Sequence, residues 1–368
     1  MENIYEFYNP VKTFVGADSI GQLKNILIDY EKILVIAWNK SIFNMSVINN
    51  LKQHKTIYEL EFSYSNPTLE NLLEAYDNSK CFDYDIIVAI GGGSVLDVAK
   101  TLACIKNTTI KSVDDIRNLI NENNFKPVCP WIGVPTTFGT GSDVTCWATL
   151  WDVTGGKKLS VENTKNYALA SIVDFKLGES MPKTLAITSA LDAVAHATES
   201  YWAIKRNPTS KCYALTAIKF IMDALENLGG EQYMSQIAQG TMFAGLAFSN
   251  TKTTACHSIS YPLTMYHNIP HGVAVSLLIG PMITLNKDEI EDTKSLEQAF
   301  GVDDLGEVEL KIQAIVKKAG LPFALSEWGI GQSDLDFLAD NGSTKGRIDN
   351  NPVKLNRDDI LNILNKIF

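Results

Sequence analysis

Apolar positions form short unbroken runs in the first half of the chain and recur at three-and-four spacing in the second. KILVIAW (32–38), TIYELEF (56–62) and DIIVAIGGG (85–93) have the length and β-branched content of buried strands, and TLENLLEAYDN (68–78) carries helical spacing. Strands alternating with helices predict parallel βαβ units, whose strands are apolar throughout because helices cover both faces of the sheet.

Beyond residue 178 the texture changes. MPKTLAITSALDAVAHATESYWA (181–203), NPTSKCYALTAIKFIMDALENLG (207–229) and EQYMSQIAQGTMFAGLAFSN (231–250) are amphipathic helical patterns, and no strand-like run of comparable length follows. The tail LNRDDILNILNKIF reads as a helix capped by Asn356, with its acidic pair in the first turn. The expected organisation is an α/β dinucleotide-binding domain over residues 1–178 and an all-helical catalytic domain over 179–368.

Composition narrows the class. A chain of 368 residues with 45% hydrophobic and 20% charged residues fits two ordinary globular domains. The net charge of -10, from 32 basic and 42 acidic residues, argues against nucleic-acid or anionic-membrane partners, leaving a small molecule as the expected one. There is no uninterrupted apolar run of about 18 residues and no secretory pattern, so a cytoplasmic protein without membrane spans is expected. The six cysteines show no CxxC pair and read as reduced thiols; Cys256 is most simply a small packed residue.

Two loops carry candidate chemistry. The run IIVAI followed by Gly91, Gly92, Gly93, Ser94 and VLDVAK is strand, glycine turn, helix start, where exposed N–H groups attract a phosphate. The order is not GxGxxG, so a standard Rossmann fingerprint is disfavoured. Asp97, in the first helical turn, is either a helix-dipole residue or a ligand contact. A second loop, PTTFGTGSDVT (135–145), offers hydroxyls for the same dinucleotide, or is a polar turn.

Three of the five histidines crowd into CHSISYPLTMYHNIPHG (256–272). Asp192 and His196, spaced i, i+4 in a helical pattern, share one face a turn apart, and His257 and His271 bring two further nitrogens. One carboxylate and three imidazoles with an open position suit catalytic Fe(II), with Zn(II) the alternative. His267 is excluded from this set, because a fourth imidazole leaves little room for substrate; it lines the substrate cleft or lies on the surface.

GGGSVLDVAK, PTTFGTGSDVT, LDAVAHATESYW, AGLAFSN and H-x13-H ending in IPHG, in that order and across nearly the whole chain, resemble the iron-containing (group III) alcohol dehydrogenases. The resemblance implies the architecture those enzymes share with dehydroquinate synthase: an α/β nucleotide-binding domain, an all-α domain, and a divalent metal held by residues matching Asp192, His196, His257 and His271. It further implies NAD or NADP contacts from Gly92, Gly93, Ser94 and Asp97, from Thr136, Thr137 and Ser142, and from Lys158.

This chain departs from the family in three places. Tyr261 stands where many members have a histidine four residues after the third ligand, so a tyrosine hydroxyl, His267 or water has to deliver the proton. Asn39, between Trp38 and Lys40, follows the first buried strand where many NAD-using members have Asp; without that carboxylate a 2′-phosphate is not repelled, which makes NADP credible. TKTTACHSISYP (251–262) replaces a glycine-rich stretch and resembles the phosphonoacetaldehyde reductase branch. There Lys252, Thr253, Thr254 and Ser258 offer an ammonium and hydroxyls to a phosphonate, or Lys252 is simply a surface lysine at a helix end.

The expected function is hydride transfer between a nicotinamide and a small aldehyde or alcohol, including phosphonoacetaldehyde to 2-hydroxyethylphosphonate, in a homodimer. The rival enzyme reading is a dehydroquinate-synthase-like lyase using NAD and a metal, disfavoured by the Asp-x3-His pair. A nucleotide sensor with a structural metal is weaker still, because structural sites are closed by four ligands, commonly thiolates.

Overall fold

A computed structural model describes residues 4–368, which divide into two compact units. The first comprises Asn9–Thr137 and Ser142–Glu179; the second comprises Ser180–Phe368, the short segment Phe138–Gly141 and the N-terminal segment ending at Tyr8.

In the first unit, strands β1 (Lys12–Val15), β2 (Lys32–Ala37), β3 (Thr56–Glu61), β4 (Ile86–Gly91), β5 (Trp131–Pro135) and β8 (Ala170–Val173) form one parallel sheet in the order β1-β8-β5-β4-β2-β3. Helices α1 (Leu23–Ile26), α2 (Ser46–Lys52), α3 (Leu69–Ser79), α4 (Gly93–Ile105) and α5 (Val113–Asn121) complete it. Alternate residues of one strand feed opposite faces. Leu34, Ile36, Ile87 and Ala89 join the core under α3, α4 and α5, while Ile33, Val35, Ala37, Ile86, Val88 and Ile90 pack with Leu23, Ile48 and Leu51 of α1 and α2. That two-sided burial is why these strands read as continuous apolar runs.

The sequence reading did not anticipate an antiparallel hairpin, β6 (Trp147–Asp152) with β7 (Lys157–Glu162). Along β6 buried Ala148, Leu150 and Asp152 alternate with partly exposed residues, and Gly156 at φ 60 supplies the left-handed turn residue.

The second unit is helical: α6 (Lys183–Trp202), α7 (Pro208–Glu226), α8 (Tyr233–Thr251), α9 (Ala255–His267), α10 (His271–Ser276), α11 (Ile279–Asn286), α12 (Thr293–Phe300), α13 (Val308–Lys318), α14 (Asp334–Asn341) and α15 (Arg357–Lys366). Asn207 and Asn356 open α7 and α15 with reciprocal capping boxes. Helix α6 is buried on nearly every side, as its Ala-rich sequence requires of a helix that other helices surround. Within that apolar rod lie Asp192, His196 and Glu199, all buried. Among the described residues no helix is long and apolar enough to cross a membrane.

Candidate active site

Asp192 and His196 sit one turn apart on α6, His257 lies in the first turn of α9, and His271 opens α10. Donor atoms of Asp192, His257 and His271 all lie within 4.8 Å of one another. His257 Nε2 and His271 Nε2 are 3.4 and 3.8 Å from Asp192 Oδ1, and His196 Nδ1 is 3.8 Å from the same oxygen. The His196 ring is not one of that triplet; it stacks between Phe248, at 4.2 Å, and His257, at 4.3 Å. A glycine follows His271 because a Cβ at Gly272 would fall 1.8 Å from the Thr188 carbonyl oxygen of α6. Only backbone fits there, and that close approach sets His271 beside Asp192.

Burial works against a charge on Asp192, yet His196, His257 and His271 outweigh it and hold the carboxyl well below its usual range. Burial likewise works against a charged His257, and Glu199 and Asp192 outweigh it, pushing the imidazole up to about 10. The field at His257 Nε2 therefore favours positive charge. Asp192 Oδ1 and His257 Nε2 are nonetheless buried without a hydrogen-bond partner among the described residues. Unsatisfied buried polar atoms are costly, and a pair facing one another in a negative field is what a cation would satisfy. The donor set, oxygen and imidazole without thiolate, fits the divalent metal.

Glu199 is the residue the sequence reading missed. It stands seven positions after Asp192 and three after His196, on the same helical face, and its carboxylate pairs with His257 Nδ1. Burial opposes its charge, but His257 beside it holds the carboxyl below the usual carboxylate range. Burial first, and then Glu199, push the Cys256 thiol far up, so Cys256 is a packed neutral residue.

In the first unit the strand order reverses between β2 and β4, the point where open parallel sheets bind ligands at their carboxyl ends. Asn39 follows β2 and Gly92 follows β4 at that point. None of Gly91, Gly92 and Gly93 has positive φ, so these glycines serve space rather than turn geometry. A Cβ on Gly92 would meet Thr137 Oγ1 at 2.9 Å, and the Thr136 N–H donates to the Gly91 carbonyl at 3.0 Å. The two loops thus lie side by side at the start of α4, whose N-terminal N–H groups attract phosphate. Ser94 presents its hydroxyl to the Asn66 N–H at 3.2 Å, and Asn39 Oδ1 accepts from the Ser41 N–H at 2.8 Å.

Asp97 is a brace. Its Oδ1 accepts from the Ser142 hydroxyl at 2.6 Å and its Oδ2 from the Thr149 N–H at 2.8 Å. Lys100, wholly buried and also missed in the sequence, donates to Ser142 Oγ at 2.8 Å, Thr145 Oγ1 at 3.2 Å and the Trp147 carbonyl at 2.7 Å. Burial pushes the Asp97 carboxyl up and the Lys100 ammonium down, each partly restored by the other. Lys158, on β7, lies 5.6 Å from the Trp151 ring.

The remaining expected residues are dispersed. Tyr261 stacks on the His271 ring at 6.0 Å, whereas His267 is the last residue of α9, half-buried and outside the metal triplet. Lys252 follows α8 with φ 62 and ψ 179, and Thr253 beside it is buried with Oγ1 unpaired among the described residues. Ser258 is turned to another task, donating to the Gly342 carbonyl at 2.8 Å and accepting from the Thr344 N–H at 2.6 Å. Thr254 donates to Glu199 at 2.8 Å.

Comparison with known proteins agrees with both halves. The iron-containing alcohol dehydrogenase model matches residues 10–175, and the model of the family's C-terminal domain matches 186–368. Long-chain-alcohol dehydrogenase 1 of Geobacillus thermodenitrificans is 31% identical, covering 77% of this chain and 74% of its own. A sulfoacetaldehyde reductase of Bilophila wadsworthia is 28% identical over 82% of this chain and 81% of its own. The solved alcohol dehydrogenase from Oenococcus oeni superposes with a TM-score of 0.87 at 25% identity, over 99% of this chain and 100% of that one. The lyase reading falls away with these findings. The chain belongs to the iron-containing alcohol dehydrogenase family, as an oxidoreductase of CH–OH groups that uses NAD(P) and a metal.

Proposed function

We propose that this chain reduces a small aldehyde with an anionic end group, phosphonoacetaldehyde to 2-hydroxyethylphosphonate, using a metal held by Asp192, His196, His257 and His271. The buried pair Asp192 Oδ1 and His257 Nε2, 3.4 Å apart and without hydrogen bonds among the described residues, carries the metal part of the reading. When bound, the metal supplies Lewis acidity for the carbonyl oxygen and the nicotinamide supplies the hydride.

The chain's own residues bind and orient. Gly92 and Gly93 leave room for a pyrophosphate at the start of α4, with Ser94, Thr136 and Thr137 as hydroxyl donors. Asp97 and Ser142 fix the second loop against α4, and Lys158 adds a positive charge on β7. Asn39 puts an amide where a carboxylate would repel a 2′-phosphate, so both NAD and NADP are accommodated. Tyr261, stacked on His271, holds the proton for the nascent alkoxide at its hydroxyl, with His267 on the same helix as the second station. Lys252 and Thr253 meet the anionic end; the kinship with an enzyme named for sulfoacetaldehyde, another small anionic aldehyde, supports that choice. Ser258 drops out of this group, because its hydroxyl is committed to Gly342 and Thr344. A cytoplasmic homodimer completes the reading, supported by free cysteines and the prevalence of twofold assemblies.

The test is NADPH and NADH oxidation by Fe(II)- or Zn(II)-loaded protein with phosphonoacetaldehyde beside propanal, against a chelated control. The expected result is a metal-dependent preference for the phosphonate of about tenfold or more in kcat/KM, roughly 1.4 kcal/mol of discrimination. Equal rates would remove the anionic substrate and leave the oxidoreductase.

A further inference from the structure

We propose that Glu199 is a positioning residue for the metal, fixing His257 as the Nδ1–H tautomer so that the Nε2 lone pair faces the ion. The proposal rests on the assignment of His257 as a ligand.

The chemistry of the acceptors carries the argument. Glu199 is fully buried on α6, two turns beyond Asp192. Its Oε2 pairs with His257 Nδ1, while its Oε1 accepts from the His257 backbone N–H at 3.2 Å and from the Thr254 hydroxyl at 2.8 Å. Thr254 Oγ1 in turn accepts from the Trp202 indole N–H at 3.0 Å. An indole N–H only donates, so the Thr254 hydroxyl points its proton at Glu199, and an ionised carboxylate only accepts. Nδ1 of His257 must then be the donor, so in the neutral imidazole that a metal ligand has to be, the lone pair lies on Nε2. Among the described residues that atom is buried without a hydrogen-bond partner, 3.4 Å from Asp192 Oδ1.

A carboxylate buried in the last turn of an apolar helix is a poor stabilising device, since a well-packed apolar residue of similar volume is often at least as stable. Its placement is explained by what it does to the imidazole. A ring held through Nδ1 cannot rotate, and its other nitrogen becomes a better donor to metal. The Thr254 hydroxyl, the His257 backbone N–H and the His257 ring all converge on Glu199, and the Trp202 indole holds Thr254 in turn, so the carboxylate itself is fixed. The sequence signal is Asp-x3-His-x2-Glu on one helical face, followed by Thr254 three residues before His257.

The experiment uses the full-length chain stripped of metal and titrated with Co(II) against a competing chelator, following affinity and the Co(II) visible absorption spectrum. Glu199→Gln is expected to bind Co(II) about 10- to 100-fold more weakly, with a changed spectrum and unchanged NADPH binding. Thr254→Val and Trp202→Phe, which only loosen the carboxylate, are expected to shift the spectrum with a smaller loss of affinity. A folded Glu199→Gln with wild-type affinity and spectrum overturns the proposal. Should that variant not fold, wild-type behaviour of both Thr254→Val and Trp202→Phe overturns it. His257→Ala separates the two levels: wild-type Co(II) affinity there removes the ligand assignment, whereas weak binding there beside a wild-type Glu199→Gln removes the positioning role alone.

Discussion

A methyl group at position 272 would sit 1.8 Å from the Thr188 carbonyl oxygen and 3.3 Å from the Asp192 backbone nitrogen, so alanine there has to push α10 away from α6. Overpacking of this kind costs about 1–3 kcal/mol. Because His271 is the preceding residue, the same displacement carries its ring away from Asp192. Gly272→Ala is therefore expected to lower both the urea midpoint and the bound-metal content after dialysis. Unchanged metal content would show that His271 reaches Asp192 without this close approach. At this scale the sequence displayed the chemistry better than its support. Asp192 and His196 were legible because a helix turns 3.6 residues, and His257 and His271 because histidine is scarce in the chain. Gly272 and Glu199 were not singled out: a glycine needed for a helix crossing looks like any other, and a glutamate near a helix end looks solvated until the helix is known to be surrounded.

Elements were legible where one periodicity held alone. The buried cores of β2 and β4, and the capped tail helix α15, follow directly from apolar runs and from Asn356. The β6–β7 hairpin was hidden because Trp147–Asp152 mixes large apolar residues with a charge whose partner lies elsewhere in the fold. That partner is Arg117 on α5, whose Nε and Nη2 donate to the two oxygens of Asp152 at 2.8 and 2.9 Å. The guanidinium leads in holding the Asp152 carboxyl down to about 2, helped by the Gly155 N–H against the opposing effect of burial. A carboxyl depressed in the folded state stabilises fully above its unfolded value, about 3.9, and loses that contribution as pH falls towards 2. Arg117→Met is expected to lower stability at pH 6, because it removes paired hydrogen bonds to a charged carboxylate, with the difference from wild type shrinking steadily between pH 4 and pH 2. Urea unfolding at pH 6, 4 and 2.5 measures it; a difference that stays constant across those pH values would detach the hairpin from this ion pair.

The motif PTTFGTGSDVT, continuous in the chain, is divided in the molecule: Thr137 and Ser142 belong to the α/β unit, and Phe138–Gly141 to the helical one. A Cβ on Gly139 would lie 2.5 Å from the Ser189 carbonyl oxygen of α6, and Gly141, at φ 56, would bring one 2.6 Å from the Gly245 Cα of α8. Two glycines that read as part of a cofactor loop thus pack against helices, a role no local pattern announces. All the metal-binding candidates, by contrast, lie in the helical unit. A ligand bound only by the folded state stabilises it by about 2.7 kcal/mol at 100 times its dissociation constant, and the gain belongs to the elements that hold it. Removing metal with a chelator is therefore expected to speed amide hydrogen exchange in peptides from α6, α9 and α10, the helices bearing Asp192, His196, His257 and His271. Peptides from β2, β4 and β5, which owe their protection to the apolar core of the other unit, should exchange as before. Asp192→Asn should reproduce the chelated pattern in the presence of metal, because replacing one carboxylate oxygen by an amide removes the charge at the point where the three imidazoles converge. Slower exchange on chelation, or acceleration spread evenly over both units, would contradict the assignment of the metal to α6, α9 and α10.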